Sequence, residues 1–148
     1  MPSAVTPLLD EIKRRFYPFV QGCGFVRARS ADPHVVAFRR QAAGRTDVFE
    51  IQWDKYWRPR FVLNIERGER DAGTDAARLR GRLQRCRGGS LDCWFGLHRS
   101  WRSRIRSGCW RYTPSEVADE LIAAFGELER WWAGGEAGPH VQLADWPA

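Results

Sequence analysis

The chain has 148 residues, of which 43% are apolar, 13% aromatic and 28% charged, with a net charge of +6. That length suits one domain able to bury roughly two-thirds of its unfolded surface, and that composition excludes disorder, low complexity and collagen-like repeats. No apolar run approaches the ~18 residues of a membrane span, and the first residues lack the basic start and long apolar stretch of a secretory signal. The expectation is a cytoplasmic single domain over residues 1–148, with 136–148 a tail, and no membrane partner.

Thr6-Pro7 predicts a helix start, with Thr as cap and Pro in the first turn. Leu8, Ile12, Phe16 and Phe19 form one apolar stripe, and Pro18 followed by Gly22-Cys23-Gly24 predicts the end. Phe25–Arg29, His34–Gln41, Asp47–Trp53 and Arg60–Arg67 alternate as strands do, the last three forming an antiparallel meander. Phe49, Ile51, Trp53, Phe61, Leu63 and Ile65 share the face expected to be buried. Val48, Glu50, Gln52, Asp54, Val62, Asn64 and Glu66 share the wet one. Lys55–Pro59 is an aromatic-rich loop between two of these strands.

Ala76, Leu79, Leu83 and Cys86 fit a helical stripe and predict a helix from Asp75 to Arg87, which Gly81 weakens. Leu91–Leu97 and Cys109–Tyr112 read as strand pieces around a polar, Arg-rich loop, Ser100–Gly108. Thr113-Pro114-Ser115-Glu116 carries a capping box, and Val117, Leu121, Phe125, Leu128 and Trp132 continue it as a long apolar face up to Gly134-Gly135. This order predicts an α+β fold. A single antiparallel sheet of about four to six strands packs its apolar face against the N-terminal and the long C-terminal helix.

Several of these segments resemble a bacterial family known as domain of unknown function 4304. The resemblance runs through the leading helix to Gly24-Phe25, the strand Phe49-Glu50-Ile51-Gln52-Trp53, then Phe61-Val62-Leu63-Asn64-Ile65, and Cys109-Trp110 before the capped helix. Residues 71–107 depart from it. It implies a shared fold and supplies no catalytic residue or settled activity.

Charge is concentrated in one block. From Ala76 to Arg111 ten arginines face one acid, Asp92, a local +9 that leaves −3 elsewhere, and only Lys13 and Lys55 are lysines. Such a block either pairs with acids inside the fold and is otherwise solvated, or meets an anionic partner. Eight Trp are present. Trp53 and Trp132 fall on predicted buried stripes. Trp57 lies beside Tyr56 and Arg58, and Trp101 beside Arg102, neighbourhoods used by protein hot spots, base stacking and intramolecular cation–π pairs alike. The candidate binding residues are therefore Trp57, Arg58, Arg60, Arg99, Trp101, Arg102, Arg104 and Arg106.

The scarcity of lysine and the acidic remainder of the chain favour an acidic protein partner over single-stranded nucleic acid. A third reading is an enzyme with a pocket between the sheet and the C-terminal helix, using His98, Glu50 and Glu66. No nucleophile motif, Gly-rich phosphate loop or paired metal-ligand spacing is present. The expectation is a non-catalytic module without cofactor or metal. Cys23, Cys86, Cys93 and Cys109 are then expected to be free thiols, and His34 exposed or capping.

Overall fold

The structure, a computed structural model, describes residues 3–42, 44–69, 79–87, 91–99, 105–106, 108 and 111–143. Helix α1 spans Thr6–Gly22. Thr6 is its first residue rather than its cap; the cap position is Val5, and no side chain caps it. Pro18 does not end the helix. It lies on the exposed side of the helix, away from the core. The true stop is Gly24, at φ 96°, where Gly24 N–H donates to Gln21 O and Phe25 N–H to Val20 O, a Schellman closure that turns Phe25 into the core.

The strands are β1 (Val26–Ala28), β2 (Val35–Ala42), β3 (Arg45–Trp53), β4 (Arg60–Glu69), β5 (Leu79–Leu83), β6 (Phe95–Gly96) and β7 (Val141–Leu143). Helix α2 spans Pro114–Trp132 and begins with the anticipated capping box between Thr113 and Glu116. The seven strands form one antiparallel sheet in the order β1-β2-β3-β4-β5-β7, with β6 pairing the start of β4. The fold is thus α+β, as the pattern implies, with both helices on one sheet face. Phe49, Ile51, Trp53, Phe61, Leu63 and Ile65 are each 2% exposed or less, and so are Leu8, Ile12, Phe16, Leu121, Phe125 and Leu128 opposite them. At the centre Phe49 meets Phe16, Phe25 and Phe125 edge-on at 5.9, 5.0 and 5.6 Å.

Two expectations are corrected, and one strand is added. The segment predicted as a helix over Asp75–Arg87 contains β5. Gly81 and Leu83 alternate with Arg80 and Arg82, a period of two that the wider stripe concealed, and Gly81 is required because a Cβ there would lie 2.6 Å from Gln142 O. Within the tail, Val141–Leu143 forms a strand that pairs with β5 and lengthens the sheet. Cys86 and Cys93 are not free; they form a disulfide, with Cα atoms 4.7 Å apart. The chain folds back between them, Arg85 N–H donating to Cys93 O at 2.7 Å. Cys23 is a free thiol, while Cys109 lies outside the described residues.

Ile51→Ala should cost about 2–5 kcal/mol in denaturant unfolding, because the side chain is fully enclosed and its loss leaves a void in the core. A loss near ~0.5 kcal/mol would place Ile51 on the solvent face.

Candidate binding surface

The loop between β3 and β4 is organised by one buried carboxylate. Asp54 is 4% exposed. Its Oδ1 accepts the N–H of Tyr56 at 2.8 Å, the N–H of Arg58 at 3.4 Å and Arg58 Nε at 3.2 Å; its Oδ2 accepts Arg60 Nε at 2.8 Å. Burial alone would raise its pKa, but the bonds from Arg60, Tyr56 and Arg58 outweigh it and hold the carboxyl down at about 2. Asp32 repeats the device on the β1–β2 loop, with His34 N–H donating to its Oδ1 at 2.8 Å and lowering its pKa. Both are Asx-turns, in which a side-chain oxygen replaces a backbone acceptor two residues on.

The two loops meet through rings. Trp53 N–H donates to His34 O at 2.8 Å, so His34 sits beside the end of β3, and Trp57 stacks on its imidazole at 4.4 Å. Of the two readings of His34, exposed or capping, the exposed one fails: its side chain is 25% accessible, and its Nδ1 lies 3.3 Å from Asp32 Oδ1. Trp57 is, among the described residues, the one non-glycine with a left-handed backbone, φ 58°. That conformation is costly for a bulky side chain and is held by the Asp54 bonds on either side. With Trp57 turned inward, Tyr56 is left 66% exposed, with Lys55 Nζ 4.9 Å and Arg58 Cζ 5.1 Å from its ring centroid. The result is a fixed aromatic knuckle carrying two cations.

Of the candidate residues, Trp57, Arg58 and Arg60 therefore share this loop, with Arg60 only 18% exposed and committed to Asp54. Arg99 comes close through β6, where Gly96 pairs with Arg60 and Leu97 N–H donates to Pro59 O at 3.1 Å. It belongs, however, to a different arrangement on the helix side. Arg99 and Arg85 each lie 4.1 Å from the centroid of the Tyr112 ring. Arg99 pairs with Glu116 at 3.5 Å, and Arg85 forks onto Glu120 at 2.9 and 2.8 Å and reaches Gly96 O at 3.0 Å. Two cations of the basic block thus fasten the β5–β6 region to α2. Arg106 is exposed, as are Arg80 and Arg82 on the sheet's open face. Trp101, Arg102 and Arg104 lie outside the described residues.

The residues considered for catalysis do not converge. Glu50 stands in register with Ala37 and Asn64, and Glu66 with Val48 and Arg80, on the face turned away from α2. The interface between sheet and α2 is filled by Phe25, Phe49, Phe125 and Trp132. His98 bridges Arg111. His140 is structural: its N–H and Nδ1 both bond the buried Glu127 carboxylate. Among the described residues no group of three or more His, Cys, Asp or Glu side chains is placed to hold a metal ion. Sequence reading overlooked the organising roles of Asp32 and Asp54; the signal was present as an Asp two residues ahead of a turn position in each loop.

Because Asp54 has a lower pKa folded than unfolded, its contribution to stability is full above the ordinary 3.8 and is lost as pH falls towards about 2. Unfolding free energy measured across that window should therefore slope downward with acid, and Asp54→Asn should flatten the slope. An unchanged slope in the variant would remove Asp54 from its organising role. Arg85→Ala should cost about 1–3 kcal/mol, since it strands Glu120 and Gly96 O, while the half-exposed Arg58→Ala should cost about 1 kcal/mol or less. Equal costs would mean that the two arginines play the same part.

Comparison with protein-family models, with curated proteins and with solved structures finds no significant match to this chain, so its function must be argued from the chain's own geometry.

Proposed function

We propose that the protein is a non-catalytic binding module whose knuckle, Lys55 to Arg60, docks an acidic protein partner. The observation that carries this reading is the exposed Tyr56 held between Lys55 and Arg58 on a loop immobilised from beneath by Asp54. Tyrosine and arginine on a pre-ordered loop lose little side-chain entropy on docking, which is how hot spots gain affinity. Two cations beside the ring select carboxylates and speed encounter. The candidate set also includes the exposed Arg106 and, outside the described residues, Trp101, Arg102 and Arg104, whose charges add to the same positive block of sequence. Membership of the bacterial family that the sequence resembles is part of the proposal and adds fold rather than activity. So is a cytoplasmic location; what is observed is that no helix among the described residues is long and apolar enough to cross a membrane.

Titration of intrinsic fluorescence with a Glu/Asp-rich peptide and with a single-stranded oligonucleotide tests the reading at physiological ionic strength. The peptide should saturate, and both Tyr56→Ala and Arg58→Glu should weaken it at least about tenfold, roughly the 1.4 kcal/mol expected of a hot-spot contact. Saturable oligonucleotide binding that falls steeply with salt and is unaffected by those variants would replace this reading with strand binding by the wider basic block.

A further inference from the structure

We propose that Cys86 is a thiolation site, at which a small anionic thiol of the glutathione class exchanges into the Cys86–Cys93 bridge. The inference goes beyond the binding reading and does not rest on it. The bridge is asymmetric. Cys93 is 6% exposed, whereas Cys86 is open to solvent. An attacking sulfur therefore has access to Cys86, and Cys93 is the sulfur that leaves.

Charge favours the same direction. Cys86 lies between Arg85 and Arg87, while the one acid of the block, Asp92, precedes Cys93. Arg85 is tied down by Glu120 and Gly96, but Arg87 is exposed, with one Nη2 bond to Gly138 O at 3.0 Å. A thiol bearing carboxylates is drawn to such a site, and its thiolate form is stabilised there.

The leaving group is also provided for. Cys93 Sγ lies 3.6 Å from Arg87 O, so the thiol formed on exchange has an acceptor already in place. The Arg85 N–H bond to Cys93 O and the Arg85 clasp on Glu120 do not involve the bridge and keep the segment folded once it opens.

The step balances without a further reagent. The incoming thiolate forms a bond to Cys86 Sγ, the Cys86–Cys93 bond breaks, and its electron pair leaves on Cys93 Sγ, which takes a proton from water. Cys86 then carries a mixed disulfide and Cys93 a thiol. In the reverse step the Cys93 thiolate attacks Cys86 Sγ and expels the small thiol.

The oxidised protein is incubated with reduced glutathione, which is anionic, or with cysteamine, which is cationic. Acid-quenched samples are read by intact mass and peptide mapping. One glutathione should map to Cys86 with Cys93 as thiol. After correction for thiolate fraction it should form at least about threefold faster than the cysteamine adduct, and Arg87→Glu should abolish that preference. Adducts confined to Cys93, Cys23 or Cys109, equal rates for the two thiols, or protein isolated without reductant that lacks the bridge would each overturn the proposal. A Cys93→Ser variant provides an independent check: its unpaired Cys86 should take one glutathione from oxidised glutathione, and failure to do so would likewise overturn it.

Discussion

The buried pair between Arg40 and Asp47 holds the layers of this molecule together. Asp47 is fully enclosed on the helix-facing side of β3, a position where an unpaired carboxylate would be too costly to keep. Arg40 stands opposite it in register on β2 and meets it at 2.7 Å, with Arg45 adding a bond at 2.8 Å. The same guanidinium forks onto Glu129 of α2, donates to Cys23 O at the end of α1, and lies over Phe25 and Trp132 at 4.4 and 5.6 Å. One planar cation thus joins two strands, both helices and the α1–β1 turn. A lysine could not make these contacts together, because its ammonium offers neither the fork nor a flat face.

Arginine is used in two ways elsewhere for the same physical reason. Arg85 and Arg99 combine ring stacking and carboxylate pairing around Tyr112 to fix the β5–β6 region against α2. Arg58 and Arg60 combine carboxylate pairing with support of an exposed ring. What separates an internal fastener from a surface element is solvent: 14% side-chain exposure for Arg99 against 53% for Arg58. Sequence shows only that arginines are crowded together, not which of them the fold itself will absorb.

The meander and the C-terminal helix could be read in advance because their signals are local. Alternation over Asp47–Trp53 fixes which residues face the core, and Thr113-Pro114-Ser115-Glu116 fixes a helix start within four residues. Strands β5 and β7 could not, because each is short and β7 finds its only partner in β5, about sixty residues earlier in the chain. Gly81 looks like a flaw in a helix until Gln142 is seen pressed against it. The disulfide was hidden similarly, since a spacing of seven residues carries no information about a chain that doubles back. At the candidate surface the residue types were legible. Their division between Tyr56 outward and Trp57 inward follows from a left-handed backbone that no neighbour in sequence announces.

The pairing of β5 with β7 also bears on how the chain is made. Gly81 and Leu143 lie opposite each other although 62 residues separate them. At about 5–20 residues per second, a ribosome delivers the second strand roughly 3–12 s after the first. Throughout that interval β5 can already sit against β4 while its outer edge presents unpaired amides and carbonyls to water or to neighbouring nascent chains. Arg80 and Arg82 on that edge then act as gatekeepers, their like charges discouraging a second copy from adding there before the chain's own strand arrives.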